Sequence, residues 1–289
     1  MKVSYFGLAM RRCRCVSVFV LVPICYILCM HLKESYIAHQ NFVIAMPVDN
    51  LDSCHRTLHY LERQPVEETE VTLEYLERLY SNRSLLGGHF RPSICTGVGR
   101  TAIIIPYRDR KKHLLQYLNN VLPKLLRQQI DFTIFVIEQS EGSSFNRGLI
   151  RNVGFVEAMK SGPFDCFIFN DVDTIIEDDR NIFYCNPNMV RHMVSGVDRD
   201  GYKLPYYRLV GGIIGFTPEQ FQHINGYSNL FFLWGAEDDD LYRRIVGEGL
   251  LIERPPNPIA TITTLKHVAD PIFKARLTIY ESLEGLLQV

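Results

Sequence analysis

From Arg100 to Asn170 the chain runs through one alternation that few folds can accommodate. "RTAIIIPY", "DFTIFVIEQ" and "FDCFIFN" are short apolar runs, the first two rich in β-branched residues. Between them lie "KKHLLQYLNNVLPKLLRQQ" and "NRGLIRNVGFVEAMKSG", whose apolar residues recur at helical spacing. The short runs predict buried strands and the longer stretches predict helices. Strand, helix, strand, helix, strand implies a parallel sheet covered by helices. Pro123 lacks an amide hydrogen and is expected to kink or break the first helix; Gly162 is expected to stop the second. Such sheets bind ligands at the carboxyl ends of their strands. "PYRDR" and "NDVD" leave the first and third strands at those ends, so function is sought there first.

The N-terminus constrains the compartment. "CVSVFVLVPICYILCMHL", residues 15–32, has no formally charged residue and follows Lys2, Arg11, Arg12 and Arg14. As a helix it would rise about 27 Å, close to a bilayer's hydrocarbon thickness. Basic flanks stay cytoplasmic, which puts the bulk of the chain on the lumenal side. A cleaved signal peptide is the competing reading, but no A-x-A-like site follows Met30. Residues 1–14 then read as a cytoplasmic tail, 15–32 as a transmembrane anchor, 33–97 as a stem and the N-terminal part of the lumenal region, and 98–289 as a catalytic domain.

Cysteine usage agrees with that topology. Four cysteines lie in or beside the anchor, while Cys54, Cys95, Cys166 and Cys185 would meet an oxidising lumen. Four thiols allow three connectivities, and their order suggests Cys54–Cys95 and Cys166–Cys185. Asn82-Arg83-Ser84 is a glycosylation sequon. With 47% hydrophobic and 22% charged residues the chain supports one large domain or two small ones, and a net charge of −1 gives no reason to expect a nucleic-acid partner.

Asp171 and Asp173 stand two apart at a strand end, where they can flank one hard cation or cap a turn. Arg108, Arg110 and Arg147 fall near the same edge and suit phosphate or carboxylate. A divalent metal with arginines suggests a diphosphate ligand, and no G-x-x-x-x-G-K-[ST] offers a P-loop. "LFFLWGAEDDDLYRRI" sets Glu237, Asp238, Asp239 and Asp240 behind Trp234, the one tryptophan. Acids in a first helical turn complement the dipole. That explains one or two of them better than four.

"RTAIIIPYRDR", "FNRGLIRNVGF", "CFIFNDVDTI", "LPYYRLVGGIIGFT" and "INGYSNLFFLWGAEDDD", in this order and spacing, resemble the β-1,4-galactosyltransferase family over about residues 87–270. The resemblance implies a type II, single-pass Golgi membrane enzyme with a lumenal α/β catalytic domain of GT-A, Rossmann-like type built on a central mixed sheet. It implies that Pro106, Tyr107, Arg108, Arg110, Phe145 and Arg147 border uridine diphosphate, with Asp171, Val172, Leu209 and Gly212 also on the donor side. Asp173 and His267 would hold Mn²⁺. Trp234 would lie under the sugars, with Tyr206, Glu237 and Asp238 on the acceptor, and Asp238 would be the base. Burial against Trp234 and adjacent acids would raise that base's pKa. The family's disulfides match the pairing suggested above. The implied partners are UDP-galactose or UDP-N-acetylgalactosamine and a glycoprotein or glycolipid ending in N-acetylglucosamine.

Three departures bear on activity. Leu209 stands where galactose-specific members carry Tyr, which leaves room for a 2-acetamido group. Thr264 stands where many members carry a Met ligand, and Ala269 where the xylose-acting branch carries a compensating His. The chain ends at Val289, and "ARLTIYESLEGLLQV" does not resemble the family's lid segment. A binding-only pseudoenzyme and a xylose-acting linker enzyme are therefore the competing expectations.

Overall fold

The computed structural model describes residues 60–82, 88–92 and 99–267, with short pieces at 42–44, 84–85, 278–279 and 282. The expected anchor, Cys54, Cys95 and Ala269 lie outside the described residues. No helix among those described is long and apolar enough to cross a membrane.

In chain order the first elements are β1 (Phe42–Ile44), α1 (Leu73–Tyr80), β2 (Ser84–Leu85), β3 (His89–Phe90) and β4 (Arg100–Tyr107). Then come α2 (Lys111–Arg127), β5 (Asp131–Glu138), α3 (Arg147–Ser161), β6 (Cys166–Asn170), β7 (Thr174–Ile176), β8 (Val190–His192) and β9 (Gly196–Val197). The last are β10 (Ile213–Phe216), α4 (Pro218–His223), α5 (Glu237–Gly247), β11 (Ile252–Arg254) and β12 (Thr261–Thr264). Among the described residues nine strands form one sheet, in the order β1-β11-β8-β10-β6-β4-β5-β3-β2; β7, β12 and β9 form a second.

The parallel core β6-β4-β5 is the one the alternation predicts, with Thr101 opposite both Phe132 and Cys166. The sheet is mixed because β10 runs antiparallel to both β6 and β8. Strand alternation sends successive side chains to opposite faces. Ile103 and Ile105 pack in the cluster of Tyr117, Val121 and Leu125 on α2, while Ala102 and Ile104 pack with Phe155 and Ala158 on α3. Full burial of each isoleucine contributes roughly 1.5–3 kcal/mol, which is why helices cover both faces.

Pro123 was expected to kink or break α2, and it does not break it: the helix continues to Arg127. The proline sits on the exposed side, while Val121, Leu122 and Leu125 are buried on the other. Packing of that face outweighs the lost backbone bond. Helix α3 starts and stops as predicted, with Asn146 accepting from the Leu149 amide and Gly162 following its end. Two glycines let it pack closely: a Cβ on Gly154 would lie 2.9 Å from Ile137 Cγ1 of β5, and one on Gly148 would lie 2.6 Å from the Ser228 carbonyl in the segment after α4. That approach delivers Arg147 and Arg151, one turn apart, to the carboxyl edge of the strands.

Part of the segment expected as stem joins this fold. β3 pairs with β5, α1 buries Leu76 and Tyr80 in the α2-side cluster, and Arg63 pairs with buried Glu177. Asn82 is exposed in the turn after α1. Cys166 and Cys185 form a disulfide, with Cα atoms 5.2 Å apart.

Candidate active site

The D-V-D turn leaves β6 and is braced from beneath. Asn170, fully buried, donates from Nδ2 to the carbonyls of Asp171 (2.8 Å) and Thr174 (3.0 Å). Its Oδ1 accepts from the Tyr117 hydroxyl on α2 at 3.0 Å. The Leu265 amide donates to the Asp173 carbonyl at 2.8 Å, which anchors the end of β12 to the turn. Asp173 Oδ2 then stands 2.7 Å from His267 Nε2. Burial would raise the Asp173 carboxyl, but His267 and Arg147 hold it below its ordinary value. The expected third position, Thr264, uses its amide to donate to Asp198 Oδ1 at 3.0 Å. Among the described residues no group of three or more His, Cys, Asp or Glu is placed to hold a metal ion.

A solvent-open cleft of ≈ 500 Å³ gathers most of the expected donor-side residues. Pro106, Arg108 and Arg110 line it from the end of β4, and Phe145 and Arg147 from the start of α3. Asp171, Val172, Asp173 and His267 close the other side. Arg108 lies over the Phe145 ring at 5.1 Å and donates to the Ser143 carbonyl at 2.7 Å. Guanidiniums facing carboxylates and an imidazole suit a polyanion that arrives with a divalent cation.

Each acid of the EDDD run has its own partner. Glu237 pairs with Arg147, Asp238 Oδ1 lies 3.4 Å from Arg151 Nη1, and Asp239 bonds the Tyr206 side chain. Asp240 bonds Arg244, one turn further on, at 2.7 Å. The run is therefore both a helix start and part of the site. Burial, then Glu237, pushes the Asp238 carboxyl up to about 7 against the opposing pull of Arg151. Glu237 goes the other way: burial would raise it, yet Arg147 and Arg151 bring it below its ordinary value. Neighbouring carboxyls driven apart in this way are the usual mark of an acid–base site.

The approach to α5 is conformationally demanding. Leu233, Gly235 and Ala236 all have positive φ, at 58°, 109° and 76°. For Leu and Ala that costs of order 1–3 kcal/mol each. The Leu233 amide holds the turn by donating to the Phe145 carbonyl at 2.7 Å. Trp234 is 48% exposed.

The strip before β10 closes the site from the opposite side. Gly212, at φ 84°, accepts from the Asp171 amide at 3.0 Å. His192 Nε2 bonds the Gly211 carbonyl and Arg254 Nε donates to His192 Nδ1, both at 3.0 Å. Arg254 also donates to the carbonyl of half-buried Leu209 at 2.9 Å. Burial, then Arg254, holds His192 neutral by pushing its pKa well below the ordinary value. Gly211 itself abuts Asp238: a Cβ there would lie 3.0 Å from Asp238 Cγ.

Residues 54–186 match the N-terminal region of glycosyl transferase group 7, and residues 191–268 match a model described as the N-terminal domain of galactosyltransferase. Over 238 residues the chain is 36% identical to β-1,4-galactosyltransferase 4 of Cricetulus griseus, an alignment covering 82% of this chain and 68% of that protein. The chain belongs to the β-1,4-galactosyltransferase family.

Other members of the family are at least as similar over shorter stretches. A β-N-acetyl-D-glucosaminide β-1,4-N-acetylglucosaminyl-transferase of Lymnaea stagnalis is 46% identical, covering 70% of this chain and 42% of that protein. Human β-1,4-galactosyltransferase 5 is 41% identical, covering 70% of this chain and 52% of that one. The chain thus spans about half the length of these relatives. The catalytic domain of Drosophila β1,4-galactosyltransferase 7, solved with xylobiose, superposes with a TM-score of 0.55 at 28% identity, covering 64% of this chain and 80% of that one.

Against this family frame, the expected residues fall into two groups. Those named above line the cleft. Tyr107, at the end of β4, and Tyr206, Leu209, Gly212, Trp234, Glu237 and Asp238 lie outside its lining. Sequence reasoning missed Arg151, whose guanidinium is only 1% exposed and joins Asp171 to Asp238. Its spacing of four from Arg147 on one helix was the available signal.

Proposed function

We propose that this chain is a metal-dependent, inverting β-1,4-glycosyltransferase. It would move galactose or N-acetylgalactosamine from a UDP-sugar to a terminal N-acetylglucosamine of a glycoprotein or glycolipid. The observation that carries the reading is the Asp238 carboxyl, poised at about 7 and linked through Arg151 to Asp171 of the arginine-lined cleft. The diphosphate would be held by Arg108, Arg110 and Arg147, and the uridine side by Pro106, Tyr107 and Phe145. Mn²⁺ fits the donor set, because Asp173 Oδ2 and His267 Nε2 bring a carboxylate oxygen and an imidazole nitrogen within 2.7 Å of each other. When bound, the ion would supply charge stabilisation for the leaving diphosphate.

The acceptor oxygen bonds to the anomeric carbon as the carbon–oxygen bond to UDP breaks, and Asp238 takes the hydroxyl proton. Glu237, kept ionised by Arg147, accepts from acceptor hydroxyls, and exposed Trp234 offers a face for a sugar ring. Leu209 supports a 2-acetamido donor, and the name of the Lymnaea relative adds UDP-N-acetylglucosamine to the donors worth assaying. The Drosophila complex motivates a xyloside acceptor as a second reading, with Leu209 and Ala269 against it.

The test is transfer by the detergent-solubilised chain with each UDP-sugar and Mn²⁺, read as UDP release and product mass. Product on an N-acetylglucosaminide supports the reading. UDP binding without release from any donor favours a pseudoenzyme. The Golgi, type II topology rests on residues 11–32 and predicts a lumenal Asn82. Digestion of the catalytic region by protease outside sealed microsomes would reject it.

A further inference from the structure

Arg147 and Arg151 of α3 both reach Asp171, and each also reaches one acid of α5. Arg147 Nε lies 3.6 Å from Asp171 Oδ1 and its Nη1 bonds Glu237. Arg151 Nη2 lies 2.7 Å from Asp171 Oδ1 and Nη1 lies 3.4 Å from Asp238 Oδ1. Unlike Arg147, Arg151 does not line the cleft. It is buried, stacked over the Tyr227 ring at 4.8 Å, and its Nε has no hydrogen-bond partner. A guanidinium is costly to bury unless its carboxylates hold it there. Such an arrangement is an expensive way to fill a core and an effective way to orient a carboxylate.

We propose that Arg151 is a positioning residue for Asp238, fixing its carboxylate relative to the D-V-D turn by sharing one guanidinium between Asp171 and Asp238. This rests on the reading of Asp238 as the base. The short bond goes to Asp171 and the long one to Asp238, so the base is oriented while remaining able to accept a proton. Facing Asp238 are Glu237 and Asp239 on its own helix, Arg147 and Arg151 on α3, Asp171 beyond β6, and Tyr206 and Tyr227. Three of these are carboxylates, two are guanidiniums, and burial keeps the two tyrosines neutral. Removing Arg151 therefore raises the Asp238 pKa.

Two measurements on the full chain in detergent decide it. In Arg151→Met the acid limb of the kcat profile should move up by about one pH unit. Its kcat near neutrality should fall at least about tenfold, while UDP affinity with Mn²⁺ stays within about twofold. Arg151→Lys, which keeps the charge, should return the limb toward its wild-type position without restoring kcat. An unmoved limb in Arg151→Met, or equal losses of kcat and UDP affinity, would make the residue merely structural.

The second measurement does not need activity. A double-mutant cycle of Arg151→Met with Asp238→Asn, read by denaturant unfolding, should show coupling at pH 8.5 that vanishes at about pH 5, below the Asp238 midpoint. Arg151→Gln, which also removes the charge, substitutes in the cycle if the methionine variant does not fold. Additivity at both pH values overturns the proposal. A wild-type chain that transfers no sugar removes the transferase reading, and the cycle still decides whether Arg151 holds Asp238.

Discussion

The smallest change that tests the role of Asp238 is Gly211→Ala. Gly211 is not among the glycines with left-handed φ, so its backbone accepts an alanine without strain. The added Cβ would stand 3.0 Å from Asp238 Cγ and nearer still to Oδ2. Carbon atoms prefer about 3.5–4.0 Å, so the gap must open by roughly 0.5–1 Å. The Gly211 carbonyl is held by His192 at 3.0 Å, which leaves the Asp238 carboxylate as the group that moves. A shift of about 1 Å in a reacting group can cost about a hundredfold in rate, or about 2.7 kcal/mol on the barrier. Overpacking should cost stability about 1–3 kcal/mol, a loss of several degrees in melting temperature. The assay is kcat for product formation beside UDP affinity by calorimetry. We expect kcat to fall and UDP affinity to persist, because Gly211 does not line the donor cleft. Wild-type kcat in this variant would show that Asp238's placement against Gly211 does not matter to turnover.

Three other residues, Asp238, Asp173 and Leu209, give further outcomes to measure. The rate should rise with pH through about 7 as Asp238 ionises, and Asp238→Asn should lose several orders of magnitude in turnover while still binding UDP. Because the folded state raises this carboxyl from 3.8 to about 7, its stabilising contribution is full below 3.8 and is lost as pH rises through 7. The slope is at most about 1.4 kcal/mol per unit, and thermal melts of Asp238→Asn that keep the wild-type slope would reject the assignment. Asp173→Ala should abolish Mn²⁺-dependent UDP binding without lowering the melting temperature; unchanged affinity and metal dependence by calorimetry would contradict the metal assignment. Leu209→Tyr should shift kcat/KM toward UDP-galactose over UDP-N-acetylgalactosamine by roughly ten- to a hundredfold, from about 1–3 kcal/mol of overpacking, and an unshifted ratio would remove Leu209 from donor choice.

What could be read from the chain followed the strength of its periodicity. β4 through β6 and their two helices were legible because long apolar runs and helical spacing leave little choice. The small sheet was not: β7, β9 and β12 have three, two and four residues, too short to carry an alternation. β10 also gave no warning that it would enter the main sheet antiparallel, because "IIGF" is buried throughout and looks the same in either direction. The cleft was legible because its residues cluster at strand ends. Arg151 was hidden because its surroundings are assembled from three separate segments. Burial and an adjacent acid were expected to raise Asp238, and its shift comes chiefly from burial and then from Glu237, although Trp234 itself is half exposed.

The left-handed turn at Leu233 and Ala236 has a consequence for which substitutions the chain can absorb. At these two positions the backbone, more than the side chain, sets what is tolerated. Glycine and asparagine adopt such conformations cheaply, while β-branched residues meet a steric barrier. In a saturation library, valine, isoleucine and threonine should be depleted at 233 and 236, and glycine enriched, whatever sugar is used as donor. Such a bias beside Glu237 and Asp238 would look like chemical selection if it were read from residue frequencies alone. Its origin is the bend that aims the helix.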